Sequence, residues 1–135
     1  VIGPKEPRPS AADEKRAYAI VNDRDDLLCQ RCLGWCGAPQ RDHRKNRSQG
    51  GLTVASNLCV LGETCHRWKT TEVRDALIDG WAVPGWADPR EWPTRRYFRT
   101  PLNTVRKGWA LLDDVGGVHE ISEDEARKRM EGVLP

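Results

Sequence analysis

Ala17, Ile20, Val21, Leu27 and Leu28 recur at roughly helical spacing near the start of the chain and predict one helix over about 11–27. Ser10 stands where an N-cap belongs, with Asp13 and Glu14 in the first turn, where the helix dipole favours acids. Ahead of it, residues 1–9 carry three prolines and a glycine among charges and read as a disordered or extended lead-in. Cys29 to Gly37 reads as a tight knuckle punctuated by Gly34 and Gly37. Gln40 to Arg44 then predicts a short strand, followed by a polar loop containing Ser48-Gln49-Gly50-Gly51. Leu52 to Leu61 can hold a second strand, with Asn57, Leu58, Val60 and Leu61 in its far half. Cys65 to about Leu77 favours a helix, with Gly80 as the stop signal. The predicted order is strand, loop, strand, helix.

Proline and tryptophan interrupt the pattern from Gly80 to Pro89, so no continuous helix fits there. This stretch is expected to wrap the domain, with Trp81, Trp86 and Trp92 as packing anchors rather than base-stacking platforms. Trp109–Leu112 and Val118–Ile121 flank Asp113-Asp114-Val115-Gly116-Gly117, a reasonable β-hairpin. Ser122 with Glu125 forms a capping box for a last helix to about Met130. His119 has no partner in any motif and reads as structural or solvated. No internal repeat is visible.

A chain of 135 residues suits one domain, and 38% hydrophobic with 31% charged residues is a soluble globular profile. No apolar run approaches the roughly 18 residues of a membrane span. No basic, apolar leader opens the sequence, so a cytoplasmic location is expected. The net charge of +2 does not by itself imply nucleic acid, but its distribution changes the picture. Arg41, Arg44, Lys45 and Arg47 face a single acid, Asp42, and a second basic stretch runs from Arg90 to Lys107. The acids gather at Asp23–Asp26 and between Glu120 and Glu131. Such asymmetry permits a phosphate-binding face. The five cysteines, Cys29, Cys32, Cys36, Cys59 and Cys65, are odd in number and clustered in spacing, which favours metal over disulfides.

Hydrolysis of a phosphodiester needs a water made nucleophilic, a cation on the phosphate oxygens, and groups that hold both. Asp42 and His43 are adjacent, so on a strand they point to opposite faces unless the backbone bends. Asn57, on the facing strand, can bridge the loop backbone and fix the histidine. His66 opens the following helix, near its positive N-terminus.

In Cys29-Gln30-Arg31-Cys32, Arg41-Asp42-His43-Arg44, Arg47-Ser48-Gln49-Gly50-Gly51, Ser56-Asn57-Leu58 and Cys65-His66-Arg67-Trp68-Lys69, the sequence resembles the HNH endonucleases, particularly the short forms encoded by bacterial viruses. Gly80-Trp81-Ala82-Val83-Pro84 and Trp86-Ala87-Asp88-Pro89 are similar to the tail of that viral subgroup. The resemblance covers roughly residues 18–95. It implies an α+β fold with a zinc-stapled ββα-metal (HNH, or His-Me finger) core, an N-terminal helix and a C-terminal hairpin-helix extension. The corresponding organisation is a lead-in over 1–9, a nuclease domain over 10–95, and an extension over 96–135 packed on it.

By the same resemblance, Asp42 binds the catalytic metal, His43 is the general base, Asn57 orients it and His66 is the second metal ligand. Cleavage would leave a 5′-phosphate and a 3′-hydroxyl. Some relatives carry a further histidine one helical turn on, where this chain has Thr70. A shell of one carboxylate and one imidazole, completed by water and phosphate, favours Mg²⁺ or Mn²⁺ over zinc. Cys29, Cys32 and Cys65 fit a structural zinc site. Many relatives have two cysteines three residues apart before the helix, but Gly62 stands at the first of those positions here. Cys36 is the preferred fourth ligand and Cys59 the alternative. Arg41, Arg44, Lys45 and Arg47, with Arg67 and Lys69 on the helix, are the expected DNA-phosphate contacts. DNA is the expected partner, with viral packaging proteins implied by resemblance alone. Two other readings stay open: a non-catalytic zinc-dependent DNA-binding or packaging module, and an RNA-cleaving nuclease of the same fold.

Overall fold

The structure, a computed structural model, describes residues 7–132. The expected lead-in lies largely outside them, since residues 1–6 are not described. Among the described residues the architecture is mixed α+β, with two small sheets.

The first helix, α1 (Ala11–Asp25), starts at Ser10, whose hydroxyl accepts from the Asp13 backbone while the Asp13 carboxylate accepts from Ser10 N–H. It ends two residues before the predicted boundary. Asp26 and Leu27 both take left-handed backbone conformations, φ 53° and 50°, which terminate the helical ladder. Ala17 and Val21 pack against Ala55, Leu58 and Val60.

Strands β1 (Pro39–His43) and β2 (Leu58–Gly62) pair antiparallel, with Asp42 opposite Cys59 and His43 opposite Leu58. The second strand is shorter than predicted. Ala55–Asn57 form a 3₁₀ turn, so Asn57 sits in the turn before the strand and not on it. Helix α2 (Glu63–Thr71) follows β2 directly.

The single helix predicted to about Leu77 is two, α2 and α3 (Val73–Ile78), broken at Glu72, whose φ −101° and ψ 60° are not helical. The hydroxyls of Thr70 and Thr71 donate back to the carbonyls of Arg67 and Trp68, a competition that weakens a helix end. Gly80, with φ +76°, is the stop that was predicted, and a side chain there would collide with Pro93 O.

The C-terminal sheet has three strands, not the two of the expected hairpin: β3 (Thr94–Arg99), β4 (Val105–Leu112) and β5 (Val118–Ile121), in that order and all antiparallel. The expected boundary at 95/96 therefore falls inside β3. That strand was hidden because an inward position is Arg96 where an apolar residue would mark the alternation. Helix α4 (Glu123–Arg129) is capped by Ser122, which accepts from Glu125 N–H. Val83, Ala87, Trp92, Trp109, Ala126 and Met130 form one core cluster, which joins the wrapping stretch to this sheet and helix. Trp81 and Trp92 are buried anchors as expected, whereas Trp86 is 70% exposed. No helix among the described residues is long and apolar enough to cross a membrane.

Candidate active site and metal centre

The end of β1 and the start of α2 converge because β2 returns antiparallel and leads without a loop into the helix. Asp42 is buried and His43 half-buried, on opposite sides of the pleat. Across the gap, His66 Nδ1 lies 2.6 Å from Asp42 Oδ1. Lys69, one turn further along α2, sets its ammonium on Asp42 Oδ2 and 2.6 Å from the His43 carbonyl. Asp42 thus meets an imidazole on one oxygen and a cation on the other.

His43 Nε2 lies 2.9 Å from Thr53 Oγ1, to which Arg47 also donates at 3.3 Å. Burial, then the charge of Arg47, holds this imidazole below the usual histidine range; Lys69 adds to the effect and Asp42 opposes it. Thr53 also lines an open cleft of about 660 Å³ with Arg8, Glu14, Arg47 and the Gly50-Gly51 backbone. Thr53 and Arg8 were missed in the sequence, since neither belongs to a recognisable motif and Arg8 lies in the presumed lead-in.

Asn57 is wholly buried. Its Oδ1 accepts from Lys45 N–H at 2.7 Å, and its Nδ2 donates to Lys45 O at 3.1 Å and Leu52 O at 2.9 Å. One amide therefore ties both ends of the loop that follows His43. Next to it, Ser56 is bound through its backbone and hydroxyl to Asp114 from the β4–β5 turn, and Arg90 holds the other Asp114 oxygen at 2.8 Å.

The basic residues divide in three by exposure. Arg41, Arg47 and Arg67 are exposed, with Arg41 over the Tyr18 ring and Arg67 paired to Glu63. Lys45 is half-buried and donates to Ala87 O at 3.1 Å. Arg44 and Lys69 cannot serve as surface phosphate contacts in this structure, which corrects that expectation. Arg44 is 1% exposed and donates to Ser56, Gly80, Pro89 and Trp92 carbonyls; Lys69 is 7% exposed and faces Asp42.

A second constellation lies behind the helix start. The sulfurs of Cys29, Cys32, Cys36 and Cys65 all lie within 4.8 Å of one another, and this cluster could hold a metal ion. Four ligands at the usual ~2.3 Å Zn–S distance fit within that limit. Cys59, the alternative fourth ligand, is instead buried in the core, where burial pushes its thiol up to about 12. Cys36 takes part because residue 62 is glycine: a side chain on Gly62 would fall on Cys36 Sγ.

Around Cys29 burial raises the thiol, but backbone groups of Gly62, Cys32 and Arg31 outweigh it and bring it down to about 7. Cys65 goes the other way, to about 12, from burial and from the neighbouring Cys29 and Cys36, against the Arg31 guanidinium at 3.5 Å. Four thiolates this close repel, and a dication removes that conflict. Arg31 itself stacks 3.5 Å over Trp68 on α2, so the knuckle and the helix are clamped together. The chain matches no protein-family model, no curated protein and no solved structure.

Proposed function

We propose that this protein is a metal-dependent DNA endonuclease of the HNH, ββα-metal type, built on β1, β2 and α2. The observation that carries the reading is the meeting of Asp42 with His66 at 2.6 Å beside His43, whose imidazole sits on the other side of the same strand. A buried carboxylate facing an imidazole supplies one oxygen and one nitrogen ligand for a divalent ion. Asp42 and His66 would hold one divalent ion, with Mg²⁺ or Mn²⁺ suiting the oxygen-rich remainder of the shell. Such an ion, when bound, neutralises charge on the phosphate oxygens and the leaving oxygen.

The residues of the chain do the rest. In the tautomer whose Nε2–H donates to Thr53 Oγ1, 2.9 Å away, Nδ1 would be left with the lone pair that accepts a proton from water. His43 takes the proton as the water oxygen attacks phosphorus and the P–O3′ bond breaks; the departing 3′ oxygen takes a proton from solvent water, leaving a 5′-phosphate and a 3′-hydroxyl. A depressed imidazole is neutral, and so able to accept that proton, through the neutral pH range. Asn57 holds the loop whose Thr53 orients the ring. Arg41, Arg47 and Arg67, all exposed, would track the phosphates. The four-cysteine cluster would hold a structural zinc that joins the knuckle to α2.

The test is nicking of supercoiled plasmid across a panel of divalent metals. Mg²⁺ or Mn²⁺ should support cleavage, and His43→Ala should lower the rate by about 10²–10⁴-fold, the range for a lost general base. Full activity in His43→Ala would put the base elsewhere. Salt-sensitive DNA binding with no cleavage under any metal would instead favour the DNA-binding module.

A further inference from the structure

Lys69 is buried at 7% exposure, on the same face of α2 as His66 three residues before it. A lysine is rarely buried unless its charge is paired. Here its ammonium donates to Asp42 Oδ2 and, at 2.6 Å, to the His43 carbonyl, so one side chain grips both residues that must act together. The Asp42 side chain is itself only 4% exposed, and its other oxygen faces His66. Burial leaves this lysine no route to a DNA backbone, and its two partners are the candidate metal ligand and the backbone of the candidate base.

From this geometry we infer that Lys69 is a positioning residue, an internal counter-cation for Asp42. It satisfies the buried carboxylate when no divalent ion is present, turns Oδ1 toward His66, and lowers the protein's own affinity for the divalent ion. This rests on the reading that Asp42 and His66 hold such an ion. A unit positive charge about 4 Å away costs an incoming dication heavily at the effective dielectric of a protein site. Firm loading then depends on charge brought by a phosphate of the substrate, and the metal-free protein stays folded while it waits.

The test is Mn²⁺ binding, measured by calorimetry on the full zinc-loaded chain without DNA, beside thermal melts with and without Mn²⁺. Lys69→Met should bind Mn²⁺ at least about tenfold more tightly than wild type, because a like charge is gone. It should melt lower than wild type without Mn²⁺, and saturating Mn²⁺ should recover most of the difference. Lys69→Arg, which keeps the charge, should bind Mn²⁺ within a few-fold of wild type. A folded Lys69→Met that binds Mn²⁺ no more tightly than wild type overturns the proposal, as does a complete lack of binding by both. If Lys69→Met does not fold alone, refolding that depends on Mn²⁺ supports the proposal and refolding indifferent to Mn²⁺ overturns it. Tighter Mn²⁺ binding in a protein that never cleaves DNA would leave this inference standing while the nuclease reading fails.

Discussion

The guanidinium of Arg44 meets carbonyl oxygens on four residues, Ser56, Gly80, Pro89 and Trp92, at 2.8–3.3 Å, and its own backbone binds Asn57 O and Val83 N. Burial pushes it down to about 10, with Arg24 and Arg96 adding repulsion. It is a peg that fastens the wrapping stretch to the loop carrying Asn57. In the sequence it was indistinguishable from its neighbours Arg41, Lys45 and Arg47, because a charge run records composition and not which side chain turns inward. Arg44→Met should lower stability by about 3 kcal/mol or more, since hydrogen bonds to a charged group are lost and buried carbonyls are left unmet. Arg44→Lys should not rescue it, because an ammonium lacks the planar fork. Urea denaturation reads this as a lower midpoint at unchanged slope; a shift under about 0.5 kcal/mol would show the peg to be dispensable.

Among elements, the order strand, loop, strand, helix of β1, β2 and α2 was legible in the sequence, while the boundaries were not. The break at Glu72 accompanies threonine hydroxyls that bond backward, and β3 was hidden by an arginine placed inward. The junction of β2 and α2 is decided by Gly62, whose missing side chain is the space that Cys36 Sγ occupies. Gly62→Ala should therefore weaken metal binding about as severely as Cys36→Ser, although alanine is no ligand and the site loses none. Cobalt substitution checks it: the wild-type chain should give the absorption of a tetrahedral thiolate site, and Gly62→Ala should lose much of it. An unchanged Gly62→Ala spectrum would mean that the knuckle can shift without cost.

Across the whole molecule, Asp25 joins parts that the sequence kept far apart. It is buried, accepts from Arg24 at 2.8 and 3.0 Å, from Arg96 of β3 at 2.8 Å and from Val60 N–H of β2 at 3.0 Å. Arg24 extends the node to Ala55 O and Leu58 O. Burial alone would raise the Asp25 carboxyl, but Arg24 and Arg96 outweigh it and hold it below the ordinary carboxylate range. A carboxyl lowered in the folded state contributes stability that is full above its unfolded pKa of ~3.9 and is lost as pH falls through the folded value. The protein should therefore lose stability in acid below about pH 4 through this group. Asp25→Asn should cost about 3–5 kcal/mol at neutral pH, as two buried guanidiniums lose their partner, and should flatten that acid limb. Denaturant midpoints measured against pH in both proteins test it; parallel curves would assign the acid sensitivity to other carboxyls.

Local information sufficed for the elements whose signals are local: the Ser10 and Ser122 caps, the glycine stop at residue 80, and the close spacing of Cys29, Cys32 and Cys36 in one knuckle, which Cys65 joins only through the fold. Each of those rests on backbone geometry or ligand chemistry expressed within a few residues. What only the tertiary structure decided is the fate of charge. Asp25, Arg44, Lys69 and Arg96 are buried, while Arg41, Arg47 and Arg67 stay in water, although all seven are polar in the sequence. Burial of a charge is stable only where partners from distant segments converge on it, and that convergence is a property of the packed fold. The same convergence set Lys69 against Asp42 and His43, and so placed at the candidate active site a residue whose sequence neighbours marked it for the surface.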